Sequence, residues 1–328
     1  MRKPDTRLAK ILQPVDRDLE RVTARLLACL KNPVARMVAY LITAGGKRLR
    51  PALVLLAGRS GDYRRHQPAL VDLASAIELV HTATLIHDDI IDRSLLRRRQ
   101  PTFHERFGTE RAVLMGDYLY ATAFAILADL HDPYVTTCMA KVCQQMSRGE
   151  FREVESRFRV DVTEAQYLRI VRDKTASLIA ACCHLGARVA GASPQTIKRI
   201  SQFGSNFGVA FQIMDDCLDL IGEEHMMGKT LRSDLDKGSL SLPVIYLAHS
   251  LTPRSRQELF APLRARSASR QFLLRIAQAA RHAGAIDQAM HTAEGFIRSA
   301  TQAVAIQNGI GCAKTYAQLA RYAIDRVQ

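Results

Sequence analysis

Two short stretches of the chain carry the same spacing of aspartates within an apolar segment. Residues 84–92 read TLIHDDIID, and residues 211–219 read FQIMDDCLD. In each stretch, aspartates stand at positions i, i+1 and i+4, which gives two clusters: Asp88, Asp89 and Asp92, and Asp215, Asp216 and Asp219. On a helix, residues i and i+4 share one face about one turn apart, where like charges repel. A fold that keeps both stretches helical must therefore supply a compensating positive charge.

A hard divalent cation would provide that charge through carboxylate oxygens. Mg²⁺ usually takes one or two protein carboxylates and fills its remaining positions with water and substrate phosphate oxygens. One such cluster alone is more often a solvated acidic face, whereas two copies in a chain of excess positive charge favour metal binding. We expect the two helices to face each other across a cavity, with metal ions bridging them to a phosphate-bearing ligand.

Helical periodicity dominates the chain. Apolar residues recur at spacings of three and four in six segments, namely residues 71–92, 111–130, 134–157, 163–190, 193–221 and 270–283. Candidate N-cap residues Asp132, Thr163 and Ser193 precede three of them. No pair of alternating segments indicates a β-hairpin. The pattern predicts an all-α bundle of about a dozen helices forming one domain over residues 1–328, with a mobile loop at residues 251–269.

The net charge of the chain limits the classes of partner that it could bind. The chain has 46 Lys and Arg against 32 Asp and Glu, a net charge of +14, which fits nucleic acid, an anionic membrane surface or a polyanionic small substrate. Trp is absent and aromatic residues make up only 6% of the chain, which leaves few platforms for stacking bases. We therefore expect no nucleic-acid partner.

Cysteine usage and the N-terminal sequence bear on the compartment. Seven cysteines lie in apolar segments without CxxC spacing, which is typical of reduced, buried thiols in a cytosolic protein. The beginning, MRKPDTRLAK, lacks the apolar core of a signal peptide, and the uncharged stretches are shorter than a membrane span. We predict a cytoplasmic protein without a transmembrane segment.

Basic motifs accompany the aspartate clusters. Residues 45–51 read GGKRLRP, in which two glycines allow close backbone approach and three cations follow. Residues 97–99 are three arginines just beyond Asp92, and residues 173–175 read DKT. Arginine offers a forked pair of donors and lysine a point charge, and both suit a diphosphate. Each motif alone is as readily a solvated basic surface, but beside acidic clusters they indicate an anion held by metal and guanidinium.

Together these motifs resemble the trans-isoprenyl (polyprenyl) diphosphate synthases, in particular their medium- and long-chain members. The resemblance rests on GGKRLRP, HTATLIHDDIIDRSLLRRRQPT, VLMGDYLYATAF, DKTASL, FQIMDDCLD and GKTLRSDLDKGSLSLPVIY, which follow in the family's order between about residues 40 and 250. It implies an all-α isoprenoid synthase fold, usually a homodimer. It also implies the 1'-4 head-to-tail condensation of an allylic diphosphate with isopentenyl diphosphate, with three Mg²⁺ ions when substrate is bound.

The resemblance also implies roles for individual residues. Asp88, Asp92 and Asp215 would bind Mg²⁺, supported by Asp89, Asp216 and Asp219. The allylic diphosphate would lie among Arg97, Lys174, Thr175, Gln212 and Lys229. Isopentenyl diphosphate would contact Lys47, Arg50, His81 and Arg98. No protein nucleophile is required, because Mg²⁺ and fixed cations stabilise the charge that develops on the departing diphosphate.

The sequence departs from the family pattern at four positions. Arg99 and Arg232 stand where the family often has glycine, Ser239 replaces a lysine, and Glu153 takes the place of a common glutamine. None of these changes removes a proposed metal ligand. The two arginines bear on loop conformation, because arginine adopts positive φ less readily than glycine.

Small residues near Asp88 bear on the product length. Ala83 and Thr84 lie one turn earlier, and a turn of about 5.4 Å is close to the length of one isoprene unit. Without an aromatic side chain at this level, we expect products of about C30–C40 or longer, such as those used in quinone side chains. The alternatives are that the small residues only allow close helix packing, and that the product is farnesyl or geranylgeranyl diphosphate.

Other classes of function remain open at this point. A terpene cyclase has an aspartate-rich motif but is not expected to carry GGKRLRP and a second complete cluster. A basic, non-enzymatic anion- or lipid-binding helical protein would explain the net charge but not six aspartates flanked by apolar residues. A regulatory subunit would not need both clusters intact. Peripheral membrane contact during product release is compatible with the enzyme.

Overall fold

Helices make up most of the chain, as the periodicity predicts. The computed structural model describes residues 6–28, 37, 39–40, 46–97, 100–221, 233–305 and 312–325. The elements of the first part of the chain are α1 (Thr6–Leu12), a 3₁₀ turn (Gln13–Val15), α2 (Asp16–Ala28), α3 (Leu49–Gly58), α4 (Tyr63–Ile91), β1 (Leu96–Arg97), β2 (Gln100–Pro101), α5 (Phe103–Phe107) and α6 (Thr109–Asp129).

The remaining described elements are also helical. They are α7 (Pro133–Ser156), α8 (Glu164–Val171), a π-helical turn (Arg172–Ala176), α9 (Ser177–Val189), α10 (Pro194–Ile221), α11 (Ser233–Asp236), α12 (Leu242–Ser250), α13 (Pro253–Leu259), α14 (Ala261–Arg264), α15 (Arg270–His282), α16 (Ala285–Ala305) and α17 (Ala313–Ile324). The prediction of an all-α fold is confirmed.

The three predicted N-caps lie where expected. Thr163 accepts a hydrogen bond from the backbone N–H of Gln166 at 3.2 Å, and the Gln166 side chain accepts from the backbone N–H of Thr163 at 2.9 Å. Ser193 accepts from the backbone N–H of Thr196 at 3.2 Å, and Asp132 from that of Tyr134 at 3.0 Å. These side chains satisfy backbone donors that the first helical turn leaves unpaired.

Three local features differ from the expectation. A short antiparallel hairpin pairs Arg97 with Gln100, although each strand has only two residues and therefore shows no alternation. Residues 251–269, expected to form a loop, contain α13 and α14, which are too short to show a helical period. The expected helix over residues 163–190 is interrupted by the π-helical turn at Arg172–Ala176.

One compact unit comprises residues 1–141, 179–204 and 303–319. Its central helix is α4, which packs against α2, α3 and α6. The helix α3 is buried from Pro51 to Gly58. A Cβ added to Gly116 of α6 would lie 2.1 Å from Nε2 of His87, so glycine at this position lets α6 approach α4 closely.

A second compact unit comprises residues 142–178, 205–302 and 320–328. Within it, α12 packs against α8 and α15. The buried side chains of Ile213, Met214 and Cys217 anchor the part of α10 that carries the second aspartate cluster. That the whole chain forms a single domain stays a prediction.

Two helices meet the length and composition of a membrane span. They are α4 and α6, whose most apolar windows have mean hydropathies of 1.5 and 1.3 and are 67% and 39% buried within the structure. The core helices of soluble proteins meet the same criteria, so these values are weak evidence for a span.

The described cysteines are free thiols. Cys182, Cys183 and Cys217 are buried, whereas Cys138, Cys143 and Cys312 are half-buried. Burial raises the pKa of Cys182 and of Cys217 to about 12, so both thiols stay protonated at neutral pH. Cys29 lies outside the described residues.

Candidate active site

The first aspartate cluster lies at the end of α4. Asp88 and Asp92 are half-buried, whereas Asp89 is only 4% exposed. Arg97 on β1 donates two hydrogen bonds to Asp89, from Nε to Oδ2 at 2.8 Å and from Nη2 to Oδ1 at 2.7 Å. This forked geometry is the strong form of an Arg–carboxylate pair. The cluster therefore receives part of its compensating charge from the protein itself.

The short hairpin explains how Arg97 reaches Asp89. The chain leaves α4 through Arg93, which has a positive φ of 49°, and β1 begins at Leu96. The backbone N–H of Thr102 donates to the carbonyl of Leu95 at 2.9 Å, which closes the hairpin. Arg97 thus returns to within hydrogen-bonding distance of a residue eight positions earlier.

The basic turn before α3 contacts the middle of α4. Arg48 has a positive φ of 47°, and its Nη1 donates to Oε1 of Glu78 at 2.7 Å. Arg50 Nη1 donates to Nε2 of His81 at 2.8 Å. Because arginine cannot accept a hydrogen bond, His81 is the acceptor and its ring is the neutral, Nδ1-protonated form. Lys47 is half-buried.

A small cavity of about 60 Å³ lies beside this turn and the hairpin. Its lining includes Arg48, His81, Asp89 and Arg97, together with Tyr40, whose hydroxyl donates to the carbonyl of Pro101 at 2.6 Å. The structure thus brings residues expected for isopentenyl diphosphate and for the allylic diphosphate to one cavity.

The second aspartate cluster lies near the end of α10. Asp215 is half-buried, whereas Asp216 and Asp219 are 7% and 4% exposed. Asp216 accepts from the hydroxyl of Tyr167 at 2.6 Å and from Nε2 of Gln212 at 2.8 Å. Burial, with the negative charges of Asp234 and Asp215, raises the pKa of Asp216 well above its usual range.

Lys174 and Thr175 lie on the π-helical turn between α8 and α9. Such a turn inserts an extra residue into a helix and is frequent at functional sites. Thr175 Oγ1 donates to Oε1 of Gln212 at 2.9 Å, which links the turn to Asp216. A Cβ added to Gly149 of α7 would lie 2.7 Å from the backbone N of Lys174, so glycine allows α7 to approach the turn.

Two glutamates of α7 hold the Lys174 ammonium group. Its Nζ lies 2.5 Å from Oε2 of Glu150 and 2.7 Å from Oε2 of Glu153. Glu153 is the residue that departs from the family's common glutamine, so this chain places an additional negative charge against Lys174. A diphosphate that binds Lys174 must compete with both carboxylates.

The residues expected to control product length differ in accessibility. Ala83 is fully buried, whereas Thr84 is half-buried. The hydroxyl of Thr84 donates to the carbonyl of His81 at 2.7 Å, so its polar group is satisfied within the helix. On α6, Ala123 is fully buried, whereas Ala121 is exposed.

Some expected site residues lie outside the described residues. They are Arg98 and Lys229, together with the departures Arg99 and Arg232. Ser239 is half-buried, and its backbone N–H donates to the carbonyl of Asp234 at 2.9 Å. Within the described part of the chain, no three His, Cys, Asp or Glu side chains form a group that could hold a metal ion.

The sequence analysis missed residues that position the expected groups. Glu78 binds Arg48, Tyr167 binds Asp216, and Glu150 binds Lys174. Glu78 carries a local signal, since a buried carboxylate within an apolar helix needs a partner. Tyr167 gives no such signal, because a tyrosine at helical spacing is ordinarily a core residue.

Comparisons with known proteins identify the family of the chain. Residues 31–279 match the model of the polyprenyl synthetase family. Component 2 of heptaprenyl diphosphate synthase from Geobacillus stearothermophilus is 41% identical over 239 residues, 73% of each chain. Octaprenyl diphosphate synthase from Escherichia coli (strain K12) is 34% identical over 253 residues, 76% of this chain and 78% of that protein.

Solved structures show the same fold. The crystal structure of a polyprenyl synthase from Caulobacter crescentus CB15, complexed with calcium and isoprenyl diphosphate, has a TM-score of 0.91 and 29% identity, and the match covers 98% of each chain. The matched relatives carry names for several product lengths, including geranylgeranyl and octaprenyl diphosphate. The fold is that of the isoprenoid synthases, and this chain belongs to the polyprenyl synthetase family of prenyltransferases.

Proposed function

We propose that this enzyme condenses an allylic prenyl diphosphate with isopentenyl diphosphate in a Mg²⁺-dependent, 1'-4 trans reaction and makes a long-chain polyprenyl diphosphate. The proposal rests on a difference in burial among the carboxylates of each aspartate cluster. Asp89 and Asp216 are buried and hydrogen-bonded by protein groups, whereas Asp88, Asp92 and Asp215 are half-buried. The accessible carboxylates are the three that the family resemblance assigns to metal.

The donor set fits Mg²⁺. Carboxylate oxygens are hard ligands, and Asp88 and Asp92 lie one helical turn apart, as a shared ion requires. We propose that these two residues and Asp215 hold the ions, about three with substrate bound, as in the family. When bound, Mg²⁺ supplies positive charge that stabilises a departing diphosphate.

Residues of the chain itself bind and orient the substrates in this proposal. Arg97, Lys174, Thr175, Gln212 and Lys229 bind the allylic diphosphate, and their fixed donors favour the charge that develops as its C–O bond breaks. Lys47, Arg50, His81 and Arg98 hold isopentenyl diphosphate, whose double bond then attacks the allylic carbon. The resulting carbocation loses a proton to the released diphosphate, which restores a double bond, and no protein nucleophile takes part.

An incorporation assay tests this function. Purified enzyme is incubated with labelled isopentenyl diphosphate, Mg²⁺ and each allylic primer in turn, and the dephosphorylated products are separated by chromatography. We expect label in extended prenyl chains with Mg²⁺ and none after addition of EDTA. Absence of extended products with every primer, in enzyme with a normal thermal melt, would contradict the proposal.

Product length forms the second part of the proposal. The half-buried side chain one turn below Asp88 is Thr84, which is smaller than an aromatic residue. We therefore expect wild-type products of about C30–C40 or longer, since each turn of about 5.4 Å corresponds to one isoprene unit. The alternative is a farnesyl or geranylgeranyl product, and the names of the relatives include both classes.

Two substitutions separate a tunnel wall from a packing position. Thr84→Phe should shorten the products to about C15–C20 while leaving the melting temperature near the wild-type value. Ala83→Phe enters a fully buried position and should cost about 1–3 kcal/mol of stability by overpacking. A stable Thr84→Phe enzyme with unchanged products would show that the chain does not grow past this residue.

We also propose a homodimer. The helix α6 exposes two large apolar side chains, Leu114 at 67% and Val113 at 42%, and a second copy of the chain would cover them. The Geobacillus relative is named as one component of its enzyme, so a different partner chain is the alternative. Light scattering should give twice 36.5 kDa for the wild type and a lower mass for Leu114→Glu. The control is Leu274→Glu, at an exposed leucine of α15.

The cellular setting follows as a proposal. We propose a cytoplasmic, single-domain enzyme without nucleic-acid partners or a transmembrane segment, which contacts the membrane peripherally when it releases its apolar product. Fractionation of cells should place the enzyme in the soluble fraction, with a salt-sensitive minority on membranes. Resistance of all the protein to salt extraction would contradict peripheral attachment.

A further inference from the structure

A cavity near α2 has no role in the proposed reaction. It measures about 650 Å³ and lies between the N-terminal residues of α2 and the turn that connects α3 to α4. Its lining includes four arginines, Arg17, Arg21, Arg59 and Arg64, against two aspartates, Asp16 and Asp18. We call it the arginine groove. It shares no lining residue with the cavity beside Asp89.

Hydrogen bonds to a buried carboxylate fix one wall of the arginine groove. Asp18 is 7% exposed and accepts from Arg21 Nη1 at 2.9 Å, from the Tyr63 hydroxyl at 2.5 Å and from Gln67 Nε2 at 2.6 Å. These bonds tie α2 to the beginning of α4 and neutralise the charge of Arg21. The groove is therefore a formed surface rather than a gap between unconnected helices.

The other arginines retain positive charge. Arg59 lies over the ring of Tyr63, 4.5 Å from its centroid, and donates from Nη2 to the carbonyl of Pro14. Its Nε is buried without a hydrogen-bond partner among the described atoms. Arg17 and Arg64 are exposed, and neither forms an ion pair with any residue that the structure describes. The second acidic residue of the lining, Asp16, is exposed.

We propose that the arginine groove binds a diphosphate-bearing anion at a site separate from the catalytic residues. Guanidinium groups recognise phosphate oxygens through forked pairs of donors, and the groove presents three arginines that Asp18 does not neutralise. Its volume falls in the range of sites that enclose organic ligands, so it has room for a group attached to the diphosphate. Such a ligand bridges α2 and the start of α4.

Calorimetry with inorganic pyrophosphate in metal-free buffer containing EDTA tests the site on the full-length enzyme. We expect binding to the wild type that weakens as salt is raised, because the contacts are electrostatic. Arg17→Ala combined with Arg64→Ala should weaken this binding by about tenfold or more. The control is Arg65→Ala, an exposed arginine next to Arg64 that does not line the groove, and it should bind as the wild type does.

Two further arms make the result specific. Arg50→Ala, within the proposed catalytic site, should leave the groove's binding intact, so loss of prenyl transfer and loss of groove binding are distinguishable. Sedimentation with vesicles of phosphatidylglycerol tests whether the anion is instead a lipid headgroup. In that case the wild type binds the vesicles but not pyrophosphate, and the double variant loses the vesicle binding. Three results would overturn the proposal of a diphosphate site. They are vesicle binding without pyrophosphate binding, no binding of either ligand, and equal affinity for pyrophosphate in the double variant and in Arg65→Ala.

Discussion

The two aspartate clusters have the same sequence pattern but differ in how their middle carboxylates are held. Asp89 is paired with a cation, Arg97, through two hydrogen bonds. Asp216 is held instead by neutral donors, Tyr167 and Gln212, and burial raises its pKa. The middle carboxylate of the first cluster is therefore paired with a cation, whereas that of the second is held by neutral donors.

This difference shows that a repeated motif need not have repeated electrostatics. Near Asp89, the guanidinium of Arg97 offsets part of the negative charge. The carboxylates of the first cluster therefore repel one another less. Near Asp216, burial and the charges of Asp234 and Asp215 raise the pKa of the carboxyl group, whereas the hydrogen bonds from Tyr167 and Gln212 oppose that rise. We expect removal of the partner to cost more stability at Asp89 than at Asp216, and the substitutions below test this difference.

The largest effect among the supporting residues is expected for Arg97→Ala. The substitution leaves the carboxylate of Asp89, whose side chain is only 5% exposed, without its cation. The protein should lose about 2–3 kcal/mol of stability. A fully buried pair would lose more, but Arg97 is 38% exposed and solvent screens its charge. Because Arg97 is also proposed to bind the allylic diphosphate, the KM for that substrate should rise about tenfold or more. Thermal melts and initial rates measure the two effects.

A second substitution separates the two roles of Arg97. Adding Asp89→Asn to Arg97→Ala removes the unpaired buried charge, so the melting temperature should recover while the KM stays high. If the double variant recovers neither stability nor KM, the paired charges are not the source of the destabilisation. An Arg97→Ala enzyme with normal stability and normal KM would remove the contrast between the clusters.

A smaller loss is expected at the second cluster. Tyr167→Phe removes a 2.6 Å hydrogen bond to Asp216 and should cost about 1–2 kcal/mol, because the lost donor is a neutral hydroxyl and Gln212 still donates to the same carboxyl group. Tyr134→Phe is the control, since that exposed hydroxyl pairs with Nε2 of His184 rather than with a carboxylate. A loss for Tyr167→Phe larger than that for Arg97→Ala would reverse the comparison.

The smallest expected effect concerns Glu153. Glu153→Gln removes one of the two carboxylates that hold Lys174, so the allylic diphosphate meets less competition and its KM should fall by about twofold to threefold. Glu155→Gln, an exposed neighbour on the same helix, should leave the KM unchanged. An equal effect of the two substitutions would point to net charge rather than to the contact with Lys174.

The parts of the fold that could be predicted from the sequence are those with local signals. Helical periodicity located the long helices, and Thr163 and Ser193 marked helix beginnings because their side chains accept from nearby backbone donors. The spacing of Asp88 and Asp92 also predicted two carboxylates on one helix face, because residues four positions apart lie one turn apart. Each of these features depends on residues within about one or two turns of each other.

Features made by distant residues could not be predicted in this way. Glu78 meets Arg48 across 30 positions, and Tyr167 meets Asp216 across 49, so no local pattern connects them. The π-helical turn that carries Lys174 has the composition of an ordinary helix. Its irregular backbone depends on tertiary contacts, such as the close approach of α7 at Gly149.

The dependence of turnover on Mg²⁺ in Asp88→Ala and Asp215→Ala tests most directly the central claim that both clusters serve catalysis through metal. Both residues are half-buried, so their removal should leave helix content and the thermal melt nearly unchanged. The account predicts that each variant loses turnover by orders of magnitude, even at saturating Mg²⁺. Normal turnover in either variant, with wild-type dependence on Mg²⁺, would contradict it.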